Sequence, residues 1–309
     1  MKIVKNITIR ELEDVFKTKF SEFMKEKISE ADLSYYELDP EERDGVISMT
    51  IETLLNPSVK RSGAHRIDDW VKGWGENCDD FRIYGKYNAL IPKYFGKFPY
   101  VRWKQDFIKA ANPNLEYNMA RILQYWLFEK HFLYANSVYE FGCGTGHNLF
   151  RVHEVNGICR IYGLDWASSS QETLKHINKI YNKTFRGHKF DFFNPDKDFQ
   201  LDRNSGVYTF AALEQTSNKF HEFIDYLVEQ RPSICVHVEP MWEYLDSNNF
   251  VDYLSIKYFE KRNYLDGLKN YLLQLRDEGK IEIVQDQRSY MGSMFVDGYS
   301  IIAWRPTDA

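Results

Sequence analysis

At 309 residues the chain lies at the border between one large domain and two modest ones, and it is long enough to bury a core without disulfide or metal staples. That length excludes the mini-protein class, and a charged fraction of 28% beside 43% hydrophobic residues excludes the disordered and collagen-like ones. Lys and Arg number 40 against 45 Asp and Glu, a net charge of −5 without a basic run at either end, so no nucleic-acid partner is expected.

The first 112 residues read as a helical, aromatic-rich region. Thr8 and Glu11 form a capping box, and Leu12, Phe16, Phe20, Phe23 and Lys27 then follow one face of an amphipathic helix. From about Pro57 the period is lost among Gly, Asn, Asp and Tyr, with Trp70, Gly73, Trp74 and Gly75 in a stretch read as loop-rich. Aromatics make up 16% of the whole chain, and 11 of them fall between Trp70 and Phe107. Such a density points to stacking, packing or enclosure of a ligand.

Asn112-Pro113 is a helix-start signal, and Leu115, Met119, Ile122, Leu123, Trp126 and Leu127 form the apolar face that follows. Residues 113–309 then alternate strand and helix. Strands are expected at 137–141, 160–165, 188–191, 206–210 and 234–238, and alternation of this kind implies a parallel sheet covered on both faces. Ser168 and Gln171 can cap the helix after the second strand, and a long helix is expected from Tyr264 to Arg276, ending at Gly279. The last two strands, 281–284 and 298–304, have no helix-length segment between them and are expected to pair antiparallel at the sheet edge.

No stretch reaches the roughly 18 apolar residues that a membrane span needs, and the N-terminus lacks a signal-peptide core, so a cytoplasmic protein without a membrane partner is expected. Cys78, Cys143, Cys159 and Cys235 are scattered without a C-x-x-C pair, which fits reduced thiols and no metal site.

The strongest chemical feature joins the first parallel strand to its helix: Val138-Tyr139-Glu140-Phe141-Gly142-Cys143-Gly144-Thr145-Gly146-His147-Asn148-Leu149. Alternate glycines let the backbone turn sharply and approach a ligand, and the following helix start offers free N–H groups. A dinucleotide fingerprint would need a third glycine at position 147, where histidine stands. That disfavours a nicotinamide-dependent oxidoreductase, the first alternative; a catalytically silent cofactor-binding module is the second.

Over about residues 115 to 305 the chain resembles the class I S-adenosylmethionine-dependent methyltransferases, whose first motif is an acid followed by G-x-G-x-G. The resemblance implies a Rossmann-like seven-stranded sheet, mostly parallel, with an antiparallel last pair. It implies a cofactor site at Glu140, Phe141, Gly142, Cys143, Gly144, Thr145 and Gly146. To these it adds Asp165 and Trp166 for the ribose side, Asp191 and Phe192 for the adenine, and Leu213 in the motif lining the transfer cleft. S-adenosylmethionine is the implied cofactor and S-adenosylhomocysteine the product. Similarity of Glu140 to Leu149, Gly163 to Ala167 and Tyr299 to Pro306 to a bacterial subgroup associated with saccharide and nodulation-factor gene clusters implies a sugar-containing or other small polar methyl acceptor.

Candidate bases lie at the carboxyl ends of strands four and five, where open α/β sheets bind ligands. They are Glu214, His237 and Glu239; by the two-residue period the last two share a face, and His237 is either catalytic or a core residue. Tyr84, Tyr94, Arg102 and His147 are candidate acceptor contacts, with Tyr87 and Trp103 further aromatics of the same stretch. Arg262 and Arg288 either bind an anionic group or sit in ion pairs. The oligomeric state is not legible.

Overall fold

The computed structural model describes residues 2–307. The N-terminal part runs β1 (Lys5–Asn6), α1 (Ile9–Phe16), α2 (Glu22–Ser29), β2 (Ser34–Glu37), α3 (Pro40–Leu55), α4 (Ile67–Tyr84), β3 (Tyr100–Trp103) and β4 (Asp106–Ala110). The Thr8 and Glu11 capping box forms, yet the expected single helix is two: Lys17 turns left-handed at φ 53, and the Ser21 side chain caps α2 afresh. The region is therefore mixed rather than purely helical. Four of its strands join in an antiparallel sheet of order β1-β2-β4-β3, completed by β11 (Met291–Ser293) from the other end of the chain.

Trp70 to Gly75, read as loop, is helix. Two glycines cost α4 roughly 1 kcal/mol each against alanine, but Asp68 and Asp69 suit its first turn, Cys78 and Phe81 are buried, and Gly85 closes it at φ 63 by donating to the Phe81 carbonyl. The tertiary contacts outweigh the local preference.

Beyond residue 113 come α5 (Leu115–Phe132), β5 (Ser137–Phe141), α6 (Leu149–Val155), β6 (Arg160–Asp165), α7 (Ser168–Tyr181), β7 (Arg186–Lys189), β8 (Ser205–Phe210), α8 (His221–Gln230), β9 (Ile234–Glu239), α9 (Phe250–Arg262), α10 (Leu268–Asp277), β10 (Ile281–Gln287), then β11 and β12 (Ser300–Pro306). The expected helix from Tyr264 begins only at Leu268, as α10, and a separate helix not expected from the sequence, α9, precedes it and ends where Asn263 turns left-handed.

The main sheet has seven strands in the order β10-β12-β9-β8-β5-β6-β7. The five central and right-hand strands are mutually parallel, and β12 inserts antiparallel between β9 and β10. The order reverses at β5, so the crevice beyond the carboxyl ends of β5 and β8 is where such a sheet binds ligands.

Side chains alternate between two cores. Val138, Tyr208, Val236 and Ile301 join the core under α5 and the N-terminal helices, while Tyr139, Val207, Cys235 and Ile302 join the one under α8 and α10. Gly206 lets α5 approach β8: a Cβ there would lie 2.4 Å from the Phe132 ring. No described helix is long and apolar enough to cross a membrane.

Candidate functional site

Strand β5 ends in the glycine loop. Gly142, Gly144 and Gly146 all have positive φ, at 80, 52 and 74°, which explains why glycine recurs at alternate positions. A Cβ on Gly142 would lie 2.4 Å from the Ala212 Cβ, and one on Gly146 would lie 2.4 Å from Leu174 of α7. Asp165, at the end of β6, fastens this loop: one carboxylate oxygen accepts from the Gly144 amide and the other from the Ala167 amide, both at 2.8 Å. Burial raises its pKa to about 6 despite those bonds.

Two small pockets, of about 30 and 50 Å³, flank the loop. The first is lined by Cys143, Thr145, His147, Asn148, Tyr117 and Gln124, and the second by Asp165, Trp166, Phe190, Phe192, Phe193 and Gln215. Both are bounded by Gly142, Ala211 and Trp74. Trp74, stacked on Trp70 at 5.3 Å, closes over the glycines. The segment after α4 is tied down: Thr145 Oγ1 donates to the Leu90 carbonyl at 2.6 Å and Tyr87 Oη to the His147 carbonyl at 3.0 Å.

A third cavity, of about 430 Å³, opens beside Trp74, Tyr94 and Ala211. Every layer contributes to it: Arg66 just before α4 and Trp70 within it, Glu116 from α5, Glu214 after β8, Tyr258 and Arg262 from α9, and Phe295 and Tyr299 before β12. Ala211 lines all three spaces and is itself left-handed at φ 49, a conformation that turns the chain sharply off β8.

The expected site residues separate into three groups. Gly142, Cys143, Gly144, Thr145, Asp165, Trp166, Phe192, His147, Tyr94 and Glu214 line the spaces just described. Others support them. Glu140, wholly buried, accepts from Asn148 Nδ2 at 2.6 Å and Tyr208 Oη at 2.8 Å beneath the loop, and burial raises its pKa to about 8. Asp191 lines neither pocket; its carboxylate accepts from the Phe193 amide and so sets the turn that presents Phe192 and Phe193. Phe141 and Leu213 are core residues, and Gly146 packs on α7.

The third group is corrected by burial. His237 is fully enclosed between Phe223 and Trp304, its Nδ1 bonded to Thr209 Oγ1 and its pKa lowered by burial to about 3, so it is the core histidine of the two readings. Glu239 is also fully enclosed. Its oxygens accept from the Ala212 and Glu214 amides at 3.1 and 3.3 Å, which makes it the anchor of the loop after β8. Arg102 is buried and donates to the Val251 and Met294 carbonyls, and Tyr84 is 64% exposed at the far end of α4.

Two carboxyls face the cavity. Burial raises Glu116 to about 7 although Tyr299 Oη donates to it at 3.0 Å, and burial raises Glu214 to about 7 against the pull of Arg262 and a Gln215 amide at 2.8 Å. Glu116 was missed because an acid in a first helical turn looks like an ordinary cap partner. Arg288 is consumed by Asp252 and Asp297 at 2.6 and 2.7 Å, the ion-pair alternative. Arg262 instead reaches the cavity.

Cys78, Glu172 and His176 offer ligand atoms within 4.8 Å of one another between α4 and α7, a cluster the scattered cysteines did not foreshadow. Glu172 there already faces Arg82 at 3.9 Å and His176 at 3.7 Å.

No family model matches the chain, and no curated protein matches it. Solved methyltransferase structures do. The chain is similar to magnesium protoporphyrin IX methyltransferase from Synechocystis PCC 6803 with bound S-adenosylhomocysteine, at 12% identity and TM-score 0.45 over 61% of this chain and 82% of that one. It is similar to geranyl diphosphate methyltransferase in complex with S-adenosylmethionine at 13% identity and TM-score 0.43, covering 64% of this chain and 92% of that one. It is also similar to the [4+2]-cyclase SpnF, at 12% identity and TM-score 0.49 over 75% and 97% of the two chains.

Proposed function

We propose that the chain is an S-adenosylmethionine-dependent methyltransferase of class I that acts on a small polar molecule, by O- or N-methylation, with residues 1–112 capping the sheet domain of residues 113–309. The carrying observation is the meeting of three spaces at Ala211: the polar pocket, the acid-and-aromatic pocket and the larger cavity.

The residues present fit the cofactor. Asp165 ends β6 with a carboxylate beside the Gly144 amide, a group able to accept hydroxyl hydrogen bonds. Trp166, Phe192 and Phe193 offer flat apolar walls for a base, and Thr145, His147 and Asn148 offer polar groups at the opposite end. When bound, S-adenosylmethionine supplies a methyl group already activated on a sulfonium.

The chain's own task is then alignment, exclusion of water and removal of a proton from the acceptor. Glu214 and Glu116 both face the cavity with pKa values raised to about 7, so each is partly ionised at neutral pH and can take up a proton. Glu239 acts through Glu214, whose amide it holds, and is a positioning residue. Tyr94, Tyr258, Tyr264 and Tyr299 line the cavity with both aromatic rings and hydroxyls, which suits a ring-shaped polar acceptor, a sugar included.

Incubation with S-adenosylmethionine and a metabolite extract, read by mass spectrometry, tests the reading. A product heavier by one methylene supports it. Cofactor binding without turnover across a broad acceptor panel would favour a silent module instead.

A further inference from the structure

Apart from Arg262, the interior arginines of this chain are each held by several hydrogen bonds or ion pairs, although the Nε of Arg151, like that of Arg262, has no partner. Arg288 is held by two carboxylates, Arg102 donates to backbone carbonyls, and Arg151 donates to the His147 carbonyl, Asn148 Oδ1 and Tyr117 Oη. Arg262 has no salt bridge to a carboxylate among the described residues; its side chain hydrogen-bonds Tyr258, and its Nε is buried without a partner. Its guanidinium lies over the Tyr264 and Tyr258 rings, 5.0 and 6.0 Å from their centroids, which fixes its position without neutralising it. A half-buried cation left this way is costly unless a counter-ion arrives.

Arg66 approaches the same group of side chains from the start of α4; its charge, like that of Arg262, acts on Glu214, Tyr258 and Tyr264. Asp69 pairs with Arg66 Nε at 3.1 Å, but that carboxylate is shared with Lys60. Glu214 is the acid nearest in effect to Arg262, yet its carboxyl is engaged by the Gln215 side-chain amide and, with its pKa raised to about 7, carries only part of a charge at neutral pH. Across the cavity the Phe295 ring stacks on Tyr258 at 5.2 Å and meets Phe98 edge-on at 5.1 Å, forming an apolar wall beside the cations.

We infer that the acceptor carries an oxyanion, carboxylate or phosphate, clasped by Arg262 with Arg66 beside it, and that its ring-shaped body lies against Phe295 and Phe98. Guanidinium suits either anion because it donates two parallel hydrogen bonds. This rests on the methyltransferase reading for the identity of the cavity, and the anion site is testable apart from it.

Calorimetry on the protein with 4-hydroxybenzoate, phenyl phosphate and neutral 4-hydroxybenzamide is the test, run with and without S-adenosylhomocysteine. The expected result is binding of at least one anion about tenfold or more tighter than the amide. Arg262→Met should abolish that preference and Arg262→Lys should keep part of it, both with unchanged S-adenosylhomocysteine affinity as the sign of an intact fold. The stronger anion identifies the class. Equal binding of anion and amide, anion binding that survives Arg262→Met, or no anion binding by the native protein overturns the inference. Because the native anion-to-amide comparison needs no variant, it decides alone if Arg262→Met fails to fold. Failure to bind S-adenosylhomocysteine would instead overturn the methyltransferase reading and leave an anion site standing.

Discussion

Trp74 rests on the backbone of Gly144: a Cβ at that glycine would sit 2.9 Å from the indole, and φ there is +52°. The ring stands between the two pockets, which together offer far less room than the about 300 Å³ or more of an ordinary ligand site. A ligand reaching from Asp165 to Asn148 therefore requires Trp74 to swing aside. Adding S-adenosylhomocysteine is expected to change the tryptophan emission of the native protein, and most of that change should vanish in Trp74→Phe. An unaltered change would assign it to Trp70 or Trp166.

On the proposed reading, the base is one of the two cavity acids. Glu214→Gln and Glu116→Gln are each expected to leave S-adenosylhomocysteine affinity near native, and the one that removes the base should lower turnover by about 10²-fold. The native turnover should rise with pH through about 7, where burial places both carboxyls, and that limb should disappear with the base. Native turnover in both variants would mean that alignment alone suffices.

The seven strands of the main sheet and the glycine loop were legible because period-two runs, glycine spacing and chain order are local signals. The N-terminal sheet was not. Its strands are two to five residues long, and β11 joins it from nearly two hundred residues away, so no window of sequence holds the pairing. Gly73 and Gly75 disguised α4, the helix that carries Trp70 and Trp74 over the site. His237 and Glu239 were correctly placed on one face of β9, but which core that face meets depends on α8 and Trp304 of β12. Arg262 and Arg288 look alike in sequence; only the fold gives Asp252 and Asp297 to one of them.

Packing limits are sharpest at Gly206. Gly206→Ala would press a methyl into the Phe132 ring at 2.4 Å on the α5 face of β8, and a loss of about 1–3 kcal/mol in urea unfolding is expected. A neutral outcome would mean that α5 can shift.

Glu140 gives the protein a pH signature. Burial raises its folded pKa from 4.5 to about 8, so its contribution to stability is fully present below about 4.5 and is lost as pH rises through about 8. Between pH 5 and 8 the native protein should lose on the order of 3–4 kcal/mol from this group, and Glu140→Gln, which keeps the shape, should show a shallower decline. Parallel curves for the two proteins would contradict this.

The methyltransferase account turns on Asp165 and the loop it fastens. Calorimetric titration of the native protein and of Asp165→Ala with S-adenosylhomocysteine tests it most directly. The account predicts one site per chain in the native protein and affinity weakened by at least about tenfold in the variant. Absence of binding by the native protein, or equal affinity in a folded Asp165→Ala, would contradict it.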